Sequence, residues 1–255
     1  MRRVFVLVTV AALVGLLPGS AVADDDNKVQ AVPFTFVGTS AECTPAPAGS
    51  HIVTAAWLRG MGLPDNGGLN ATTPNDPHTG LLLSKNGPTA DCSSSGARIT
   101  GVKGMTVDAA FTLGFEYRNG GHCGAGAPRF NVVAKLGSAA ETSHFVGGCS
   151  NDTTPTGAGQ DAAQWTRVMF QTSNPAESFR IIPVGSKIVS ISILYDEGTD
   201  TANNDTQGVG LAVIDNIYIN GQIITSGPSG KDNDKKDKDK KDKGDGDDDD
   251  QGEDD

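Results

Sequence analysis

Residues 208–221, GVGLAVIDNIYING, constrain the fold more than any other stretch of the chain. Leu211, Val213, Ile217 and Ile219 alternate with Ala212, Asn216, Tyr218 and Asn220. That is the period-2 pattern of a strand with one buried face. Asp215 falls on the apolar parity, where a carboxylate is expensive unless it is hydrogen-bonded, paired or bound to a cation. Asn220-Gly221 is a tight-turn signal, and residues 222–225 return along the strand. A half-buried strand of this kind needs other strands to pack with, and the preceding sequence supplies them.

Residues 31–37, 51–58, 97–102, 109–118, 129–136, 143–149, 165–171 and 187–195 all read as short strands punctuated by Gly, Pro and Asn. In 109–118, Phe111, Leu113, Phe115 and Tyr117 alternate with Thr112, Gly114, Glu116 and Arg118. In 165–171, Val168 and Phe170 oppose Trp165, Arg167 and Met169, and in 187–195, Val189, Ile191, Ile193 and Tyr195 share a face. No window of ten or more residues in the body has a 3.6-residue period. The expectation is an all-β, antiparallel β-sandwich occupying residues 24–230 as a single domain.

Both ends read as something other than that domain. Arg2-Arg3, the apolar run 4–17 and Ala21-Val22-Ala23 form the three parts of a signal peptide, residues 1–23, with cleavage before Asp24. Export places the protein outside the cell and makes Cys43, Cys92, Cys123 and Cys149 disulfides rather than metal ligands or nucleophiles. Four cysteines allow three pairings. Cys43–Cys92 with Cys123–Cys149 is preferred, because the second pair flanks a candidate hairpin. Residues 231–255 hold seven lysines, thirteen acids and no apolar side chain, the composition of a disordered acidic tail. The formal charge of −11 divides into −6 on the tail and −7 on residues 24–230, offset by the two leader arginines. An acidic body argues against nucleic acid and against anionic membrane surfaces, and the leader's short apolar run argues against a membrane-inserted protein. Cations and neutral ligands remain compatible with it.

Trp165-Thr166-Arg167-Val168 opening a strand, Pro183-Val184-Gly185-Ser186 turning into an apolar strand, and Val213-Ile214-Asp215-Asn216-Ile217 closing the domain resemble the galactose-binding-like jelly roll. That superfamily includes many bacterial carbohydrate-binding modules, and the similarity spans residues 97–221. Residues 121–130 are also similar to segments of uncharacterised secreted bacterial proteins. The resemblance implies a jelly-roll sandwich, a glycan or cell-surface polymer as partner, and a structural Ca²⁺ held by the acid of the closing strand, which is Asp215 here. Asp196, Glu197, Asp200 and Asp205 are a separate reading: hard oxygen ligands crowded into one loop. Sugar-binding faces rely on aromatic platforms, and this chain is only 5% aromatic. Trp165 and Tyr218, opposite the expected core face, are the candidate platforms. Glu116, Arg118 and Arg129, with Asn131 and Arg167, are candidate hydrogen-bonding partners for hydroxyls.

Catalytic signatures are missing from the sequence. There is no G-x-S-x-G around Ser143-His144, no H-E-x-x-H among the four histidines, and no E-x-D-x-E on any strand. The expected function is therefore a secreted, non-catalytic module for extracellular or cell-surface glycans, with a possible structural calcium. Two alternatives stay open: a structural or matrix protein whose acidic tail binds cations, and a glycan-degrading enzyme. The residues do not specify an oligomeric state.

Overall fold

A computed structural model describes residues 28–65, 78–200 and 208–228. The leader, the acidic tail and Asp205 lie outside the described residues. Thirteen strands run through the described residues. They are β1 (Gln30–Val37), β2 (Val53–Arg59), β3 (Thr79–Lys85), β4 (Ser93–Thr100), β5 (Thr112–Arg118), β6 (Arg129–Lys135) and β7 (Thr142–Gly147). Then follow β8 (Thr156–Gly157), β9 (Trp165–Gln171), β10 (Ser178–Phe179), β11 (Lys187–Tyr195), β12 (Leu211–Ile219) and β13 (Gln222–Ile224).

The strands form two antiparallel sheets: a front sheet in the order β2-β3-β12-β5-β9-β8, with β13 added beside β12, and a back sheet in the order β1-β4-β11-β6-β7-β10. The eight central strands carry the topology. Counted in chain order, the front sheet reads first, eighth, third, sixth, and the back sheet second, seventh, fourth, fifth. These are the two interlocked Greek keys of a jelly roll. No helix among the described residues is long and apolar enough to cross a membrane.

The inward faces of the sheets meet in one core. Phe115, Phe130 and Phe170 are fully buried with ring centroids 5.8–6.4 Å apart, at the tilted and edge-on angles aromatic rings prefer. Leu81, Leu83, Ile193, Ile214, Ile217 and Ile219 surround them. Two disulfides pin loops to this core, Cys43–Cys92 and Cys123–Cys149, the pairing expected from the sequence. The second brackets the β6–β7 hairpin.

Two β-bulges correct the parity read from the sequence. In β12 the register against β5 shifts between Asp215 and Tyr218, with Asn216 at φ 42°. One extra residue flips the alternation. Ala212, Ile214, Ile217 and Ile219 therefore join the main core, while Leu211, Val213, Asp215 and Tyr218 turn to the outer face of the front sheet. In β11 a second shift between Ile188 and Ser190 puts Ile188 into the core in place of the expected Val189.

Candidate functional site

The outer face of the front sheet collects most of the side chains singled out by the sequence. Glu116, Arg118, Trp165, Arg167 and Tyr218 come from three neighbouring strands, β5, β9 and β12. Part of this face is covered, while the Arg118 and Arg167 side chains stay 37–38% exposed. Residues 60–65 and 158–164 fold over it, and Leu63, Ala158, Trp165 and Val213 make a second small core beneath them. Trp165 is 0% exposed and its indole Nε1 donates to Asp65 at 2.8 Å. The expected stacking platform is thus the anchor of a covering loop. Arg118 grips the same Asp65 through Nε and Nη2, at 2.9 and 2.6 Å. The backbone N–H of Asp65 in turn donates to Asp161.

Glu116 is the hub of this face. It lies on the outward parity of β5, yet it is 0% exposed. It accepts from Arg167 Nε at 2.7 Å, from the Tyr218 hydroxyl at 3.0 Å and from Asn216 Nδ2 at 2.5 Å. Its ion pair with Arg167 explains how a carboxylate survives there, since burial without a partner costs several kcal/mol. The Arg167 guanidinium also sits 5.3 Å from the centroid of the Tyr218 ring. Burial, followed by the Glu116 charge, pushes the Tyr218 phenol up to about 12. Asp215 is the direct cross-strand partner of Glu116. It accepts the backbone N–H groups of Leu63 at 2.9 Å and Asn216 at 2.6 Å. Burial raises its pKa to about 6 against the pull of those two donors, and Glu116 adds to the rise. Two carboxylates thus share one face beside the covering segment. A depression of about 180 Å³ is lined by Arg118, Asn119, Gly120, Gly121, Leu211 and Val213.

The expected calcium ligands are dispersed. Asp196 makes a two-pronged pair with Arg129 at 2.6 and 2.7 Å, Glu197 meets His122 Nε2 at 2.6 Å, and Asp200 accepts from the Thr89 backbone and hydroxyl. Asp215 is engaged at the middle of the front sheet instead. No group of three or more His, Cys, Asp or Glu positioned to hold a metal ion occurs among the described residues. The Asp196 loop is organised instead by a cation of the protein's own. Lys85 is 1% exposed and donates to the carbonyls of Thr89, Asp91 and Asp196 at 2.6–3.0 Å.

Arg129 parts company with the other candidates, because β6 belongs to the back sheet. There the outer face is open. One cross-strand row runs Val32, Arg98, Ser192, Asn131, Phe145, Phe179 through consecutive register partners of all six strands. Five interstrand steps of about 4.8 Å make that row about 24 Å long. Phe145 and Phe179 pair at 6.4 Å between centroids and are 37% and 60% exposed. Arg129, clamped by Asp196 and by the Gly126 carbonyl, lies 5.4 Å over the Phe145 ring and donates to Asn131 Oδ1. Arg98 covers Phe34 at the same distance on the other flank. Phe145, Phe179 and Arg98 went unmarked in the sequence reading, although S-H-F-V alternation places Phe145 outward. Comparison with protein-family models, curated proteins and solved structures yields no match.

Proposed function

We propose that the protein is a secreted, non-catalytic binding module for extracellular or cell-surface glycans, and that its ligand lies across the open face of the back sheet. One observation carries this reading: the cross-strand row in which polar Arg98, Ser192 and Asn131 are followed by the exposed Phe145–Phe179 pair. Partly exposed aromatic rings beside polar groups suit a chain of pyranose rings, whose faces are apolar and whose edges carry hydroxyls. Arg129 is held in place before any ligand arrives, so little side-chain freedom is lost on binding. The front-sheet cluster supports the fold in this reading, since its polar groups are already satisfied by one another. The disulfides agree with an oxidising, extracytoplasmic compartment. Among the described residues, the acids expected to hold calcium engage Arg129, His122, Thr89 and backbone donors.

Affinity electrophoresis against a panel of soluble polysaccharides tests the proposal, with released reducing ends measured on the same samples. Retardation by at least one polysaccharide without released ends supports it. Released ends would move attention to Glu116 and Asp215, and no retardation across the panel would favour a structural scaffold.

A further inference from the structure

The net charge of the chain hides a strong polarity between the two ends of the sandwich. Three loops and the segment entering β1 meet at one end. Thr106 bridges Lys187, Gly185 N–H donates to Val107, and Lys135 is the register partner of Lys187. A Cβ placed on Gly185 would touch Leu136 at 3.7 Å, and one on Gly101 would meet the Lys28 carbonyl. Residues 28–29, 101–111, 135–141 and 180–187 make up this end. They carry Lys28, Lys103, Lys135, Arg180 and Lys187 against only Asp108 and Glu141. The opposite end carries Asp91, Asp196, Glu197 and Asp200 around Lys85. Charges separated by more than the Debye length, about 10 Å at 0.1 M salt, are largely screened from each other. A partner approaching the first end therefore meets a basic surface, whatever the total charge.

The same end exposes large apolar side chains. Val184 is 59% exposed, Ile181 48% and Leu136 47%, on loops whose neighbours Ile182 and Ile188 are fully buried. Solvent-exposed aliphatic side chains on loops that also carry cations define the chemistry of the occupant: it must offer both apolar depth and anionic groups. The chain's own acidic tail, residues 231–255, offers anionic groups but no apolar side chain.

We propose that this end of the sandwich docks on an anionic lipid surface, with Ile181, Val184 and Leu136 reaching below the headgroups and Lys103, Lys135, Arg180 and Lys187 on the phosphates. Docking of this kind is peripheral and needs no spanning segment. This end adjoins the proposed glycan surface at Phe179-Arg180 and uses different side chains.

Co-sedimentation of the full chain with vesicles of equimolar phosphatidylglycerol and phosphatidylcholine tests the assignment. Wild type is compared with Ile181→Asp/Val184→Asp and with Lys103→Glu/Lys187→Glu, all carrying the same leader and tail, so contributions from those segments cancel. All four positions are exposed, and unchanged melting curves confirm that the variants fold. The expected result is binding weakened about tenfold or more in each variant, and similarly weakened for wild type on pure phosphatidylcholine, since each basic residue near an anionic surface contributes about 1 kcal/mol. Equal sedimentation of all three proteins would overturn the proposal, as would no wild-type binding to the anionic vesicles. Binding to polyglutamate but not to vesicles, undiminished by Ile181→Asp/Val184→Asp, would also overturn it, in favour of an acidic protein partner.

Discussion

Asp215 and Glu116 face each other across the β12–β5 ladder, both buried on the outer side of the front sheet, and Glu116 is paired with the Arg167 guanidinium. The Asn216 bulge holds the two together, donating its backbone N–H to one and its amide to the other. Asp215 instead pins the covering loop through Leu63.

This arrangement sets a pH dependence. The Asp215 pKa is raised from 3.8 to about 6 in the fold, so the folded state binds the proton more tightly than the unfolded chain. Ionisation then opposes folding above pH 6. Stability should rise as pH falls from 7 through 6 toward 4, by up to about 3 kcal/mol. Asp91 and Asp200 have depressed pKa values and lose their contribution only at lower pH, which separates the two effects. Thermal melts between pH 7 and 4.5 should rise toward acid in wild type and flatten in Asp215→Asn. An identical slope in both would assign the effect elsewhere.

Trp165 serves the fold in this account. Trp165→Ala should destabilise by about 3–5 kcal/mol in urea unfolding, the usual result of emptying a large buried site. Trp165→Phe should lose about 1 kcal/mol with the indole bond to Asp65, and should leave any ligand affinity unchanged.

Lys85 should behave as a buried structural cation. Lys85→Met leaves the carbonyls of Thr89, Asp91 and Asp196 without their donor and should cost about 3 kcal/mol or more. Chelator should leave the melting midpoint of the wild type unchanged, because the ammonium does the organising in this loop. A fall in midpoint with EDTA would return calcium to the account.

On the loop-entropy relation, replacing Cys123 and Cys149 by Ala should cost about 3.5 kcal/mol, and replacing Cys43 and Cys92 about 4 kcal/mol. Urea midpoints of the two double variants check the order.

The all-β sandwich was legible because several strands alternate cleanly, and the jelly-roll topology was implied by the galactose-binding-like resemblance. Phe111 to Arg118 and Trp165 to Gln171 have the faces their sequence shows. The disulfide pairing was legible because Cys123 and Cys149 bracket a hairpin. The inversion of β12 was not, since a period-2 reading assumes an unbroken register and Asn216 breaks it. The adjacent polar pair Asp215-Asn216 between Ile214 and Ile217 was the available signal. What covers a sheet face is not encoded in strand parity at all. Asp65, in an irregular loop, converts Trp165 and Arg118 from surface candidates into packing and pairing groups. Parity within strands also could not separate Arg129 from Arg118, because it does not say which strands share a sheet.

The central claim is that the open back-sheet face is the ligand surface. Calorimetric titration of the retained polysaccharide into wild type, Asn131→Ala, Phe145→Ala, Arg167→Ala and Tyr218→Ala tests it most directly. Loss of a stacked ring or a ligand hydrogen bond is worth about 1–2 kcal/mol, hence roughly tenfold in affinity. That drop is expected for Asn131→Ala and Phe145→Ala, with Arg167→Ala and Tyr218→Ala binding like wild type. The reverse pattern would contradict it and place the site on the front sheet, around Glu116.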